Sequence, residues 1–212
     1  MRIALAAATA LLLSGCVVAV DNSSPAAGAA SAPVTGSHVT GSHVTSSPGV
    51  ERPAERLPTD IRRTTLIVRN MENSLRLYRD VMGLKVNYDT VVTMSGVALP
   101  AGPPGAKARL VLLNGNDPFI GWIGLMEWVD PKLPDPGPYP TRMGIGSHVI
   151  ITQTQDVDER CADAAKIPGV TVTGPARDQT YPGRNGAPPI KVRGCNFFDP
   201  DGTLIEMNQL IG

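Results

Sequence analysis

The sequence predicts an α+β domain in which one strand–helix–three-strand unit occurs twice, and three observations predict it. Two segments repeat the same order of elements: a β-branched apolar run, a stretch with apolar residues at helical spacing, then three further strand candidates. A connection over 132–139, with Pro134, Pro136, Pro138 and Pro140 in or beside it, separates the two copies as a stiff, extended link. The residues before about position 59 have a different composition, one that cannot supply a core. The folded part is therefore 59–212, with module one over 60–131 and module two over 144–212.

In module one, 64–68 (TTLIV) reads as a strand. Asn70 is placed to cap a helix over 71–82, where Met71, Leu75, Leu77, Tyr78, Val81 and Met82 recur at helical spacing, and Gly83 supplies a left-handed stop. Strands are expected over 84–91, 109–113 and 120–128, with the Gly/Pro-rich stretch 100–105 as a loop. In module two the corresponding expectations are a strand over 148–152, a helix over 156–166, and strands over 170–172, 190–197 and 203–209.

Composition bounds the function. The chain has 212 residues, 42% of them hydrophobic and 18% charged, which suits one soluble domain with a tail. Nineteen basic residues balance nineteen acidic ones with no Lys/Arg run, so the electrostatic footprint of a nucleic-acid binder is missing. Residues 1–15 carry Arg2, then an apolar run, then small residues before Cys16, the layout of an export signal. The run is shorter than the roughly 20 apolar residues that a spanning helix needs.

Leu13-Ser14-Gly15-Cys16 resembles the lipobox of bacterial lipoproteins, which implies cleavage before Cys16 and lipidation of that residue. Val17 in second place favours the outer membrane, facing the periplasm, over the inner one. Residues 16–58 then form a Ser/Ala/Pro/Gly tether that cannot bury enough surface to offset the entropy of ordering it. It holds His38 and His43 in a tandem TGSHV duplication, where both read as passengers. The third GSHV, with His148, opens a predicted strand.

Two stretches carry a family resemblance. RTTLIVRNMENSLRLYRDVMGL from Arg63, and FFDPDGTLIE ending at Glu206, resemble the first module and the closing hairpin of the vicinal oxygen chelate superfamily, which includes glyoxalase I, extradiol dioxygenases and bleomycin resistance proteins. The resemblance implies paired βαβββ modules forming an open, incompletely closed barrel-like cleft, with a divalent metal ion held by the first and last strand of each module. Carried over, the four slots fall on Arg63, Glu127, His148 and Glu206. Glu127, His148 and Glu206 are then the metal ligands, suited to Fe, Mn, Ni or Zn, with Glu127 or Glu206 relaying a proton in catalysis. Strand alternation agrees for Glu206, which shares a face with Leu204 and Asn208 while Ile205 and Met207 face the other way.

Two departures stand beside the resemblance. Arg63 occupies a slot where a histidine is expected and cannot ligate, so it is assigned to substrate binding as a carboxylate clamp. His148 lies one residue further from its helix than Arg63 does from its own, and a one-residue slip would turn it out of the cleft. The implied activity is that of a metal-dependent lyase, isomerase or dioxygenase acting on a small vicinal-oxygen substrate. The alternative is a metal-free protein that binds or sequesters a small molecule. The implied partners are that small molecule, the membrane through the lipid on Cys16, and a second copy of the chain in a homodimer. Cys161 and Cys195 read either as a disulfide or as two separately buried thiols.

If the lipobox reading holds, Cys16→Ala moves the protein from the washed membrane fraction to the soluble fraction. Wild-type membrane retention of this variant, after normal signal cleavage, would refute the anchor.

Overall fold

The computed structural model describes residues 59–139 and 141–212. The signal segment, Cys16, the tether, His38 and His43 lie outside the described residues.

Module one begins with strand β1 (Arg63–Ile67) and helix α1 (Met71–Leu75), which continues as a π-helical turn over Arg76–Val81. It closes with β2 (Lys85–Thr93), β3 (Lys107–Asn114) and β4 (Trp122–Asp130). The sheet order is β1-β4-β3-β2, with β1 parallel to β4 and the other pairs antiparallel. Module two repeats the plan with β5 (Val149–Gln153), α2 (Val157–Ala164), β6 (Thr171–Val172), β7 (Arg177–Tyr181), β8 (Ile190–Phe198) and β9 (Leu204–Leu210). Its order is β5-β9-β8-β6, and β7 also pairs with β8. This is the α+β arrangement of two βαβββ modules that the sequence predicts.

Three differences stand out, and the first two have physical causes. The first helix is α-helical for only five residues and then widens, so that Met82 N donates to Leu77 O at 2.8 Å. The wider turn lets the neighbours Leu77 and Tyr78 both be wholly buried, which a regular helix would not offer two adjacent residues so readily. Strand β7 was not expected: RDQTY has little apolar alternation, and its edge position leaves most of it exposed. Strand β5 starts at Val149, one residue later than the expected start at His148.

Both helices face a single core. Met71, Leu75, Leu77, Tyr78, Val111, Leu113 and Leu125 of module one pack in one cluster with Val157, Cys161, Cys195, Phe197, Ile205 and Met207 of module two. Polar bonds cross the same seam. The Tyr78 hydroxyl donates to Asp199 Oδ2 at 2.7 Å, and the Arg160 guanidinium donates to Val81 O. The other Asp199 oxygen accepts from Asp201 N at 3.0 Å and Thr203 N at 2.7 Å. Burial pushes the Asp199 carboxyl up from its usual range, against these donors, and burial likewise pushes the Tyr78 hydroxyl up, helped by the Asp199 charge.

Cys161 on α2 and Cys195 on β8 form a disulfide, closing the alternative the sequence left open. The bridge spans 34 residues, and loop-closure entropy for that span gives a stabilisation of about 3–4 kcal/mol. Reduction, or the double change Cys161→Ala/Cys195→Ala, is expected to lower the melting temperature by roughly 10 °C. An unchanged melt under reducing conditions would show that the bridge contributes nothing.

Candidate functional site

Each sheet has one face covered by helices and one, the open face, turned away from them; in the first sheet part of that face is buried in a second cluster of Ala108, Met126 and Trp128. The core contacts assign every residue near the expected site to one face or the other. In β1, Leu66 packs on the core, so Arg63, Thr65 and Ile67 lie on the open face, where Ile67 is 44% exposed. In β4, Ile123 and Leu125 belong to the core, which puts Glu127 on the helix side and Trp122, Gly124, Met126 and Trp128 on the open side. In β9, Ile205 and Met207 are buried under the helices while Leu204, Glu206 and Asn208 face outward. In β5, Ile150 packs inward, leaving Val149 and Ile151 on the open face.

The structure therefore separates the expected ligands. Glu206 stands on the open face of the second sheet, where alternation predicts it. Glu127 does not face the cleft: its Oε2 accepts a hydrogen bond from Met71 N, the first helical residue, at 2.9 Å, and its Oε1 lies 3.5 Å from Lys132 Nζ. His148 precedes β5, and strand alternation puts it on the side of Ile150 rather than that of Glu206. Among the described residues no group of three or more His, Cys, Asp or Glu side chains is placed to hold a metal ion.

The pseudo-repeat explains the displacement. Val157 N, which opens α2, donates to Gln209 Oε1 at 3.1 Å, as Met71 N donates to Glu127. Gln209 is thus the counterpart of Glu127, and Gly124, three residues before Glu127, is the counterpart of Glu206. Counting eight residues back from Met71 and from Val157 gives Arg63 and Val149. The four equivalent open-face positions are Arg63, Gly124, Val149 and Glu206, of which only Glu206 can ligate a metal. Gly124 leaves no room for a replacement either: a Cβ there would sit 2.7 Å from Thr65 Oγ1 and 3.2 Å from Arg63 Cδ. The spacing mismatch between the two modules was the signal in the sequence that moves the slot from His148 to Val149.

Arg63 does line a cavity. A volume of about 560 Å³ on the open face of the first sheet is bounded by Asp60, Ile61, Arg62, Arg63, Thr65, Leu112, Phe119 and Trp122. The Arg62 guanidinium lies 4.2 Å over the Phe119 ring and its Nε points at Phe119 O at 3.5 Å. The Trp122 indole nitrogen is buried without a hydrogen-bond partner. Two guanidinium groups and an unsatisfied N–H outnumber the single Asp60 carboxylate in this lining, and with the aromatic wall they suit a planar group bearing a carboxylate or another acceptor. Neither Phe119 nor Trp122 was singled out in the sequence, because each reads there as an ordinary apolar residue at a strand edge.

On the second sheet, Glu206 Oε1 accepts from Asn208 Nδ2 at 2.7 Å and from the Tyr181 hydroxyl at 3.2 Å. Partial burial and the Glu206 charge raise the Tyr181 hydroxyl above its usual range, which keeps it a donor at neutral pH.

Comparison with known proteins agrees with the architecture. The profile of the Glyoxalase/Bleomycin resistance protein/Dioxygenase superfamily matches residues 60–207. No curated protein sequence matches the chain. Among solved structures, a glyoxalase family protein from Bacillus cereus is similar at 16% identity and a TM-score of 0.56, over 76% of this chain and 100% of that one. An antibiotic-binding protein from a Streptomyces species aligns at 22% identity and a TM-score of 0.43, over 74% of this chain and 100% of that one. A Leishmania major glyoxalase I aligns at 19% identity and 0.42, over 71% and 86%. At these identities the likeness is one of fold.

The position of Glu127 yields a prediction. Glu127→Ala removes the acceptor for Met71 N and should cost about 1–2 kcal/mol in urea unfolding, as loss of a helix-capping side chain does, while Glu127→Gln keeps most of the stability. A stable Glu127→Ala variant with impaired ligand binding would put the carboxylate back in a functional role.

Proposed function

The chain belongs to the glyoxalase/bleomycin resistance protein/dioxygenase superfamily, and from that premise we propose that it is a metal-free, small-molecule binding protein of the cell envelope. One observation carries the reading: the four equivalent open-face positions hold Arg63, Gly124, Val149 and Glu206, a single metal ligand where the superfamily's metal-using members need several. The residues present do not fit a resident divalent ion, so a metal-dependent lyase or dioxygenase route through Glu127, His148 and Glu206 has no support in this side-chain arrangement. Arg63 keeps the substrate-binding role that its charge suggests, with the Trp122 N–H beside it and Phe119 as the flat wall.

Export to the envelope rests on the signal and lipobox pattern, and the Cys161–Cys195 bridge supports it, because structural disulfides persist in oxidising compartments. In that setting a lipid on Cys16 would tether the binding domain to the membrane. A second reading, catalysis by Glu206 alone, is favoured by no observation here.

Calorimetric titration of tag-free protein with Mn(II), Ni(II) and Zn(II) should show no site-specific binding. Benzoate, a planar carboxylate, should quench tryptophan fluorescence saturably, and Arg63→Ala should weaken its binding about 2- to 5-fold, as loss of an exposed charge pair does. Stoichiometric metal binding abolished by His148→Ala would overturn the proposal.

A further inference from the structure

The open face of the second sheet has more buried acceptors than donors. Four open-face residues stand side by side there, since Asn196 pairs with Glu206 and Gly194 pairs with Asn208 across β8 and β9. Asn208 is 9% exposed; its Nδ2 is committed to Glu206 at 2.7 Å, which turns its Oδ1 toward Gly194, and that oxygen has no hydrogen-bond partner. Asn196 Oδ1 is likewise buried and unpartnered. The Tyr181 hydroxyl has one proton and two acceptors at 3.2 Å, Gln179 Oε1 and Glu206 Oε1. A buried acceptor without a donor is unfavourable, so a face that keeps two of them beside a carboxylate can take up donors from a bound molecule.

Gly194 packs directly against the unpartnered Asn208 oxygen. A Cβ there would stand 2.5 Å from Asn208 Oδ1 and 2.9 Å from Gln179 Nε2, so any side chain at this position would push that oxygen out of place. Around the polar centre, Val149 and Ile151 on β5 and Tyr181 on β7 expose 41%, 67% and 38% of their surfaces, an apolar rim for the rest of a ligand.

We propose that this face is a binding site for an organic cation with several N–H donors, of the amidinium, guanidinium or primary-amine class, with the charge on Glu206 and the N–H groups on Asn208 Oδ1 and Asn196 Oδ1. The donor-bearing group displaces the Tyr181 hydroxyl from Glu206, and the exposed Tyr181 ring moves aside on its edge strand. A fork of parallel N–H donors matches a carboxylate flanked by amide oxygens better than a single point charge does. The proposal rests on the metal-free reading, because an ion on Glu206 would claim the same carboxylate. It is distinct from the Arg63 cavity, whose chemistry is of the opposite sign.

The test uses benzamidine, with its neutral isostere benzamide and the anion benzoate as probes, in a backbone-amide NMR titration of the folded domain with its disulfide intact. Benzamidine should shift β8 and β9 amides around Gly194, Glu206 and Asn208 saturably, and benzamide should bind at least 10-fold more weakly. Glu206→Gln, which keeps size and hydrogen bonding, should weaken benzamidine at least 10-fold, and Gly194→Ala should abolish its binding. Because Gly194 is buried, Glu206→Gln and Asn208→Ala with unchanged spectra elsewhere keep the test valid if Gly194→Ala misfolds. Arg63→Ala should weaken benzoate and leave benzamidine unchanged, so failure at one face is told apart from failure at the other. No saturable shift with benzamidine, equal shifts from benzoate at the same amides, or indifference to Glu206→Gln would overturn the proposal.

Discussion

A strand gives alternate residues to opposite faces, and in this protein the helices cover only one face of each sheet. That constraint decides nearly everything else. Once Leu66, Ile123, Leu125, Ile150, Ile205 and Met207 are committed to the shared core, the outward residues of four strands are fixed without any further choice. Glu127 and Gln209 fall on the core side, close enough to meet the first N–H of their own helices, and both do. A carboxylate in that position stabilises the start of the short helix α1, which at five residues plus a π turn has little hydrogen bonding of its own to spare.

The seam between the modules is the second constraint, and it acts through Asp199. The carboxylate is 2% exposed and accepts from a phenol of module one and two backbone amides of its own turn. Asp201 extends the link, its Oδ1 lying 3.2 Å from both Arg69 N and Arg69 Nε, and Arg69 in turn stacks 3.9 Å from the Tyr139 ring. The DPDG turn therefore does two things: it closes the β8–β9 hairpin that carries Glu206, and it locks that hairpin to the first helix. Removing one partner would leave a buried carboxylate short of a donor, which costs more than the bond itself contributes.

Much of the fold was legible because the periodicities are strong. The run 64–68, the capped helix after Asn70 and the alternation around Glu206 each correspond to an observed element within a residue or two. Strand β7 was not legible, because an exposed edge strand such as RDQTY needs no apolar face. The site was legible in part. Glu206 and Arg63 stand on open faces as their strands predict, whereas the expected slots at Glu127 and His148 depend on register, and register is what one sequence specifies least. A single residue of difference between the two modules moves the equivalent position from His148 to Val149, and the tolerance of a carryover argument is smaller than that. The spacing difference was visible in the sequence; only core contacts decide which way it falls.

The chemistry left on the open faces follows from that register. A metal ring would need oxygen and nitrogen acceptors from both sheets, converging on one cation. Here the polar character is divided instead: the first sheet presents the guanidinium of Arg63 and the unpartnered indole N–H of Trp122, and the second presents Glu206 with the unpartnered amide oxygens of Asn196 and Asn208. The glycine at each sheet's centre reinforces the division. A side chain at Gly124 would collide with Thr65 beside Arg63, and one at Gly194 would collide with Asn208 beside Glu206, so each face needs glycine where its neighbours pack closest. Opposite hydrogen-bonding sign on the two faces means that no single ion can satisfy both, while polar organic groups of matching sign can satisfy each. The duplicated fold thus supplies two platforms of one shape and different chemistry, and the sequence differences between its halves, rather than the architecture they share, set what each can hold.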